Sequence, residues 1–240
     1  RELRLIARQR QKLVGQLASE KNRLHKVLTD SGIRLGVVVS DLHGQSARAM
    51  VKAIIAGHAP QQVIKLASRR LKASREEILD ALQGELSASH RFVLDELMRH
   101  IEEIEARISR FDARLLEGLE SERDTLALMQ TIPGIDQIGA AMLLVEIGAD
   151  MDDFGSADRL ASWVGVCPGN NESAGKRKSG HTRKGNPYVR RLLCEFAHAA
   201  SRTTSMFKSK FQALVVRRGY KRAIIAIGHK MLRTLFFMLK

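Results

Sequence analysis

Cysteine, proline and aromatic residues are all scarce in this sequence. Its 240 residues include two cysteines and four prolines, and aromatic residues make up 5%. Two cysteines without a CxxC pair favour buried thiols in a reducing, intracellular setting over a disulfide framework. So few prolines favour long helices. The shortage of aromatic rings leaves Leu, Ile, Val, Ala and Met to build most of the core.

Metal-ligand spacings and a membrane span are missing as well. The eight histidines are scattered and show no zinc-binding spacing. The most apolar window, residues 223–239, contains His229, Lys230 and Arg233. It is therefore too short and too charged to cross a bilayer.

Positive charge is abundant and unevenly distributed. The formal net charge is +14. Residues 1–75 and 166–240 are strongly basic, whereas residues 76–165 are acidic. Basic ends on an acidic middle favour a polyanionic partner, nucleic acid above all. The alternative is a basic protein whose cations are simply solvated.

Residues 1–125 read as a coiled-coil and dimerisation region with a basic helical insertion. Residues 1–31 and 87–119 predict long helices, and the insertion contains short helices near 46–56, 60–72 and 74–83. In the second long helix, apolar residues step by three and four to form an a/d seam, which consists of Leu94, Leu97, Ile101, Ile104, Ile108, Phe111 and Leu115. Such a seam needs a partner, either residues 1–31 of the same chain or a second subunit. We expect a mixture of the two pairings, with the arm dimerising, and an ordinary three-helix bundle is the alternative.

Residues 126–240 predict a compact helical domain, so the fold class is all-α. The segment IPGIDQIG resembles a helix-hairpin-helix, in which Gly134 and Gly139 would allow a tight turn and bring backbone N–H groups to a phosphate. A glycine turn between packed helices is the alternative. Further helices are expected from Ala157, with Trp163 packed inward, from Pro187, and over residues 204–217 and 221–239.

The polar stretch NNESAGKRKSGHTRKGNP, residues 170–187, is the candidate site. Its glycines, Gly175, Gly180 and Gly185, would permit close approach to a bulky ligand. Its cations would neutralise the charge on a phosphodiester under attack; they are Lys176, Arg177, Lys178, Arg183 and Lys184. Ser173 at the head of this loop is a candidate nucleophile. Alternatively, Ser173 and Ser179 only donate hydrogen bonds to phosphate.

The segments IPGIDQIGAAMLLVEIGADMDDFGSADRLASWVG and GVCPGNNESAGKRKSGHTRKGNPYVRRLL resemble the C-terminal domain of the insertion-sequence "one-ten" transposase family. The opening RQRQKLVGQLASEKNRLHKVLTDSGIRL is similar to that family's coiled-coil helix. The resemblance implies a bridge-RNA-guided recombinase in which Ser173 attacks DNA and becomes covalently joined to it. The family's basic-Gly-Asn motif matches Lys184, Gly185 and Asn186, and its arginine positions match Arg190 and Arg191.

The resemblance also implies features outside this chain. Family members begin with a resolvase-like domain whose carboxylates bind Mg²⁺, and no segment here matches it, so we expect a fragment that binds and oligomerises but cleaves poorly. We expect no cofactor in this chain itself. The implied partners are DNA, a structured guide RNA and further copies of the chain, in a dimer or a tetramer, in the prokaryotic cytoplasm at the nucleoid.

Two other functions remain open from the residues alone. One is a carboxylate-metal transposase or resolvase that uses Glu146, Asp150, Asp152 and Asp153, although two metals need carboxylates from separate elements. The other is a non-catalytic nucleic-acid-binding scaffold.

Overall fold

The polypeptide is largely helical, which confirms the all-α prediction. The computed structural model describes residues 2–167, 171–173, 176–179, 182 and 184–240. Its helices are α1 Glu2–Asp30, α2 Leu35–Val38, α3 Gln45–Ile55, α4 Pro60–Val63, α5 Arg75–Ala81, α6 Ala88–Glu117, α7 Arg123–Gln130, α8 Gln137–Ile147, α9 Ala157–Val164, α10 Pro187–Arg202, α11 Met206–Arg218 and α12 Tyr220–Leu239, with short 3₁₀ turns at Ile64–Leu66 and Glu120–Glu122. A small antiparallel hairpin, β1 Asn171–Ser173 and β2 Lys176–Ser179, lies between α9 and α10. Within the described ranges, no helix is long and apolar enough to traverse a bilayer.

The chain divides into two compact units whose limits differ from those of the expected domains. One unit is Arg10–Arg110, and the other is Phe111–Lys240 together with the N-terminal residues up to Gln9. The division therefore falls within α1 and α6, because the ends of both long helices pack with the C-terminal helices. The expected boundary at residue 125 stays a prediction.

In the unit Arg10–Arg110, the seam of α6 is buried by the same chain. The buried seam residues here are Leu94, Ile101, Ile104 and Ile108, and Leu97 is half-buried. Leu94 and Ile101 share one hydrophobic cluster with Leu24 and Leu28 of α1 and with Met50 of α3. The intramolecular partner considered for the seam is thus present, and dimerisation of the arm stays a prediction.

An ion-pair network fastens three helices of this unit to one another. Arg48 of α3 donates to both carboxylate oxygens of Glu105 on α6, at 2.8 and 2.9 Å. Lys21 of α1 lies 3.2 Å from the same carboxylate. Hydrogen bonds from Arg48 and Lys21 outweigh burial and lower the pKa of Glu105.

The other unit is built around α8, which is buried on nearly all sides. Gly139 to Leu144, Glu146 and Ile147 are all buried. The remaining seam residues belong to this unit, with Leu115 buried and Phe111 half-buried. Helices α8, α9, α10 and α11 each begin at a side-chain cap, supplied by Asp136, Ser156, Asn186 and Ser205 respectively.

The helices expected in this unit are present, but one core assignment is wrong. Leu192, Leu193, Phe196 and Ala200 of α10 are buried as expected. Trp163 is 41% exposed and does not pack inward. Its ring contacts Phe154, with centroids 5.4 Å apart, because the buried face of α9 is formed by Leu160, Ala161 and Val164 instead.

Candidate active site around the serine hairpin

The hairpin places Ser173 opposite a lysine. Ser173 ends β1 and Lys176 begins β2, and the two residues are register partners in the antiparallel pair. Glu172 pairs with Arg177, and the register shifts between Asn171 and Glu172. The structure therefore brings the backbone positions of the predicted nucleophile and one predicted phosphate-binding residue together.

The predicted loop residues are placed unequally by the structure. Lys176, Arg177 and Lys178 are consecutive in β2. Gly175, Gly180 and Arg183 lie outside the described residues. Lys184 is exposed where the chain leaves the loop.

The chain leaves the loop through a fixed backbone contact with α9. The backbone N–H of Asn186 donates to the carbonyl oxygen of Trp163 at 3.2 Å. A Cβ at Gly185 would lie 2.3 Å from the carbonyl carbon and oxygen of Val164. The close approach expected at Gly185 is thus made to the protein's own backbone.

Asn186 connects the loop exit to two helices. Its side-chain oxygen accepts hydrogen bonds from the backbone N–H groups of Tyr188 and Val189, at 2.9 and 3.2 Å, and so caps α10. Its side-chain nitrogen donates to Glu146 Oε2 at 2.9 Å. The phosphate contact expected of Asn186 stays a prediction, and in this structure its amide holds α10 against α8.

Glu146 is the buried anchor of this arrangement. It is 3% exposed, and its carboxylate accepts hydrogen bonds from Arg8 Nε at 2.7 Å and from Arg8 Nη2 at 3.0 Å. Arg4 donates to the carbonyl oxygens of Val145 and Glu146, at 3.0 and 3.2 Å. Burial raises the pKa of Glu146, but the hydrogen bonds from Arg8 and Asn186 and the two arginine charges together lower it below its ordinary value.

Arg8 also fixes the first turn of α10. Its guanidinium lies 4.5 Å from the ring centroid of Tyr188, in cation–π geometry. Sequence reasoning missed Arg4, Arg8 and Tyr188. The one signal available was a glutamate, Glu146, within an otherwise apolar helix, because a buried carboxylate requires a cationic partner.

The two arginines expected to contact phosphate differ in their surroundings. Arg190 is half-buried and donates to Thr182 Oγ1 at 2.6 Å, so it ties α10 to the loop. Arg191 is exposed and pairs with Glu195 at 2.9 Å. An exposed pair of this kind contributes little to stability, so Arg191 can exchange Glu195 for another anion.

The four carboxylates considered for a metal-dependent enzyme do not converge. Glu146 is held by Arg8 and Asn186. Asp150 accepts the backbone N–H of Asp152 at 2.8 Å, and Asp152 pairs with Lys240 at 3.3 Å. In the part of the chain that the structure describes, no three His, Cys, Asp or Glu side chains are grouped so as to hold a metal ion.

The glycines of the expected helix-hairpin-helix pack against α10. Gly134 has a φ of +93°, and a Cβ there would lie 2.6 Å from the carbonyl oxygen of Phe196. A Cβ at Gly139 would lie 2.5 Å from the Phe196 ring. Asp136 accepts the N–H of Gly139 at 2.7 Å. These contacts explain the glycines by helix packing, and a phosphate contact at this turn stays a prediction.

Comparison with known proteins covers this same region. Residues 126–212 match the family model described as "Transposase IS116/IS110/IS902 family". The match includes Glu146, the hairpin with Ser173, and α10. The family resemblance expected from the sequence is therefore confirmed over this part of the chain.

Two curated relatives extend the similarity. The chain is 25% identical over 183 residues to a "Probable family 20 transposase" of Pseudomonas aeruginosa, covering 72% of this chain and 54% of the relative. It is 28% identical over 152 residues to the "Insertion element IS900 uncharacterized 42 kDa protein" of Mycobacterium paratuberculosis, covering 62% of this chain and 37% of the relative. The chain thus spans about half or less of the length of these relatives.

Proposed function

We propose that this chain is the part of a DNA transposase that carries the nucleophilic serine, and that Ser173 is that serine. The observation that carries the proposal is the family match over residues 126–212, which includes the hairpin. Two features support it: Ser173 stands opposite Lys176, and Arg177 and Lys178 follow in β2.

The proposed step is a transesterification at a DNA phosphodiester. Ser173 Oγ gives up its proton and forms a new P–O bond. The P–O bond to one deoxyribose oxygen breaks, and that oxygen takes up a proton. The free energy of the broken phosphodiester bond is conserved in the new serine–DNA phosphodiester. The reverse reaction with another strand end therefore reseals DNA without a further energy source.

The surrounding cations would stabilise the charge that develops on phosphorus. Lys176, Arg177 and Lys178 of β2 and Lys184 at the loop exit would supply this positive charge. Arg190 would act from the first turn of α10, which Asn186 and Glu146 hold in place. Glu146 and Asn186 are positioning residues in this scheme.

The partners of the reaction are also part of the proposal. The chain would act with a resolvase-like domain whose carboxylates hold Mg²⁺, with a structured guide RNA that selects the DNA target, and with further copies of itself. The strong excess of cations in residues 166–240 supports nucleic acid as the partner. The reaction would take place in the prokaryotic cytoplasm at the nucleoid.

A denaturation-resistant protein–DNA adduct tests the proposal. The chain, joined to a resolvase-like domain of the family, is incubated with Mg²⁺, guide RNA and target DNA, and is then resolved under denaturing conditions. We expect an adduct from the parent protein and none from Ser173→Ala.

Ser179→Ala is the matched control, since Ser179 lies in the other strand of the same hairpin. We expect this variant to keep the adduct. Cleavage without any adduct, unaffected by Ser173→Ala, would assign the chemistry to metal-bound water and leave the hairpin as a phosphate-binding element.

A further inference from the structure

A cluster of four cations lies where α11 meets α12. Arg217 and Arg218 end α11, Lys221 and Arg222 lie in the first turn of α12, and Gly219 makes the turn with a φ of +76°. We call Arg217, Arg218, Lys221 and Arg222 the basic corner. All four are exposed.

No acidic residue is available nearby in the sequence to neutralise the basic corner. After Glu195, the chain contains ten Lys and Arg residues and no Asp or Glu. Four like charges within six residues repel one another, and an anion bound among them would relieve this repulsion. The arrangement therefore favours an anionic partner.

Several other surface arginines of this unit are paired. Arg114 lies 2.8 Å from Glu117, and Arg123 lies 2.7 Å from Glu120. Among the described residues, by contrast, none of the four side chains of the basic corner makes an ion pair or a side-chain hydrogen bond. The corner thus presents donors that are free for an external partner.

A tyrosine with two side-chain contacts lies between the cations of the corner in the sequence. Tyr220 is 48% exposed, and its hydroxyl lies 2.8 Å from His198 Nδ1. Its ring meets Phe211 edge-on, with centroids 5.5 Å apart. Arginine, lysine and tyrosine are residues that contact phosphate and sugar groups in nucleic-acid complexes, and cations beside an exposed aromatic ring suit a strand backbone with its bases.

We propose that the basic corner binds the phosphodiester backbone of a nucleic acid, at a site separate from the serine hairpin. Its four cations lie beyond residues 126–212, the segment of the family match. His198, which holds Tyr220, lies twelve residues along α10 from Asn186, or about 18 Å at 1.5 Å per residue. That rise corresponds to about five base pairs of duplex at 3.4 Å each, so one duplex could reach both ends of α10.

This inference rests on the proposed function in one respect, that the partner is nucleic acid. It adds a second surface that binds the strand at a distance from the reacting phosphate. The shared chemistry is the phosphodiester backbone, and the source is distinguished by testing duplex DNA, single-stranded DNA and a structured RNA separately.

Salt-dependent binding of the full 240-residue chain tests the inference. Affinity for each labelled nucleic acid is measured by fluorescence anisotropy between about 50 and 300 mM salt. Over this range phosphate contacts make the affinity strongly dependent on salt. The two test variants are Arg217→Gln with Arg218→Gln, and Lys221→Gln with Arg222→Gln. The matched control is Arg114→Gln with Arg123→Gln, which removes the same charge from cations that are already paired.

Each test variant should lose up to two phosphate contacts. The slope of log affinity against log salt should then fall in magnitude by up to about 1.8 for duplex DNA or about 1.4 for a single strand. At 0.1 M salt the affinity should fall on the order of tenfold to a hundredfold. The control should keep the parent slope, and the nucleic acid with the largest loss identifies the ligand.

Parent-like slopes for both test variants on all three nucleic acids would overturn the inference, as would an absence of salt-dependent binding by the parent. Its failure is distinguishable from failure of the proposed function. If the corner variants bind like the control, the Ser173 adduct can still form. If Ser173→Ala keeps the adduct, the loss of binding at the corner still stands.

Discussion

At the scale of single residues, Gly185 decides whether the loop can be fixed to α9. A Cβ at this position would lie 2.3 Å from the backbone of Val164, and backbone atoms cannot move aside as a flexible side chain can. Gly15 in α1 offers the opposite case, because a Cβ there meets nothing within 4 Å. Packing therefore requires a glycine at position 185, whereas at position 15 glycine is only tolerated.

We predict opposite effects of the same substitution at these two positions. Gly185→Ala should lower the free energy of unfolding by about 1–3 kcal/mol, as overpacking does. Gly15→Ala should raise it by about 0.5–1 kcal/mol, since alanine is the better helix former. Urea unfolding measures both. An unchanged or raised stability for Gly185→Ala would show that the loop does not pack on α9 as described.

At the scale of helices, the tie between α8 and α10 rests on Glu146. Arg8 and Asn186 lower the pKa of its carboxyl group in the folded protein. A lowered folded pKa contributes stability above the carboxyl group's unfolded pKa, about 4.3. That contribution is lost as the pH falls through the folded pKa.

We predict that Glu146→Gln costs about 1.5–3 kcal/mol at pH 7, the usual range for hydrogen bonds to a charged group. The difference from the parent should shrink as the pH falls below about 4. Glu195→Gln is the control, because Glu195 is an exposed partner of Arg191 and should change stability by less than about 1 kcal/mol. Urea unfolding at several pH values measures this. A Glu146→Gln difference that does not vary with pH would contradict the ionised pair.

Most of the helices could be predicted from the sequence because apolar periodicity and caps are local signals. The expected helices at 1–31, 87–119 and 187 onward match α1, α6 and α10 closely. The hairpin was not predicted as strands, since its segments are polar and carry no alternating pattern. The Arg8–Glu146 pair could not be predicted either, because it joins residues 138 apart in sequence and no periodic pattern links them.

At the scale of the whole molecule, each unit has its own hydrophobic cluster. Leu94 and Ile101 of the seam lie in the cluster of the unit Arg10–Arg110, together with residues of α1. The sequence predicted the seam but left its partner open, because heptad periodicity does not tell a helix of the same chain from one of a second copy. Because Ile101 is buried within one chain, its contribution to the free energy of unfolding should not depend on association between copies.

Ile101→Ala should lower the free energy of unfolding by about 2–5 kcal/mol, as expected for a fully buried side chain. The loss should be the same at every protein concentration, because the contacts are made within one chain. Phe92→Ala on the same helix, at a position 68% exposed, should stay within about 0.5 kcal/mol of the parent. A loss that varies with protein concentration, measured by urea unfolding over a range of dilutions, would place the seam in an interface between copies.

The most direct measurement is to locate the covalently attached nucleotide in the adduct by mass spectrometry after nuclease and trypsin digestion. Cleavage after Lys and Arg places Ser173 in a peptide of residues 160–176 and Ser179 in one of residues 179–183. We predict a nucleotide remnant in the first peptide, with fragment ions that assign it to Ser173 and not to Ser162. A remnant on Ser179, Tyr188 or Tyr220, or DNA cleavage with no remnant on any peptide, would contradict the assignment of Ser173 as the nucleophile.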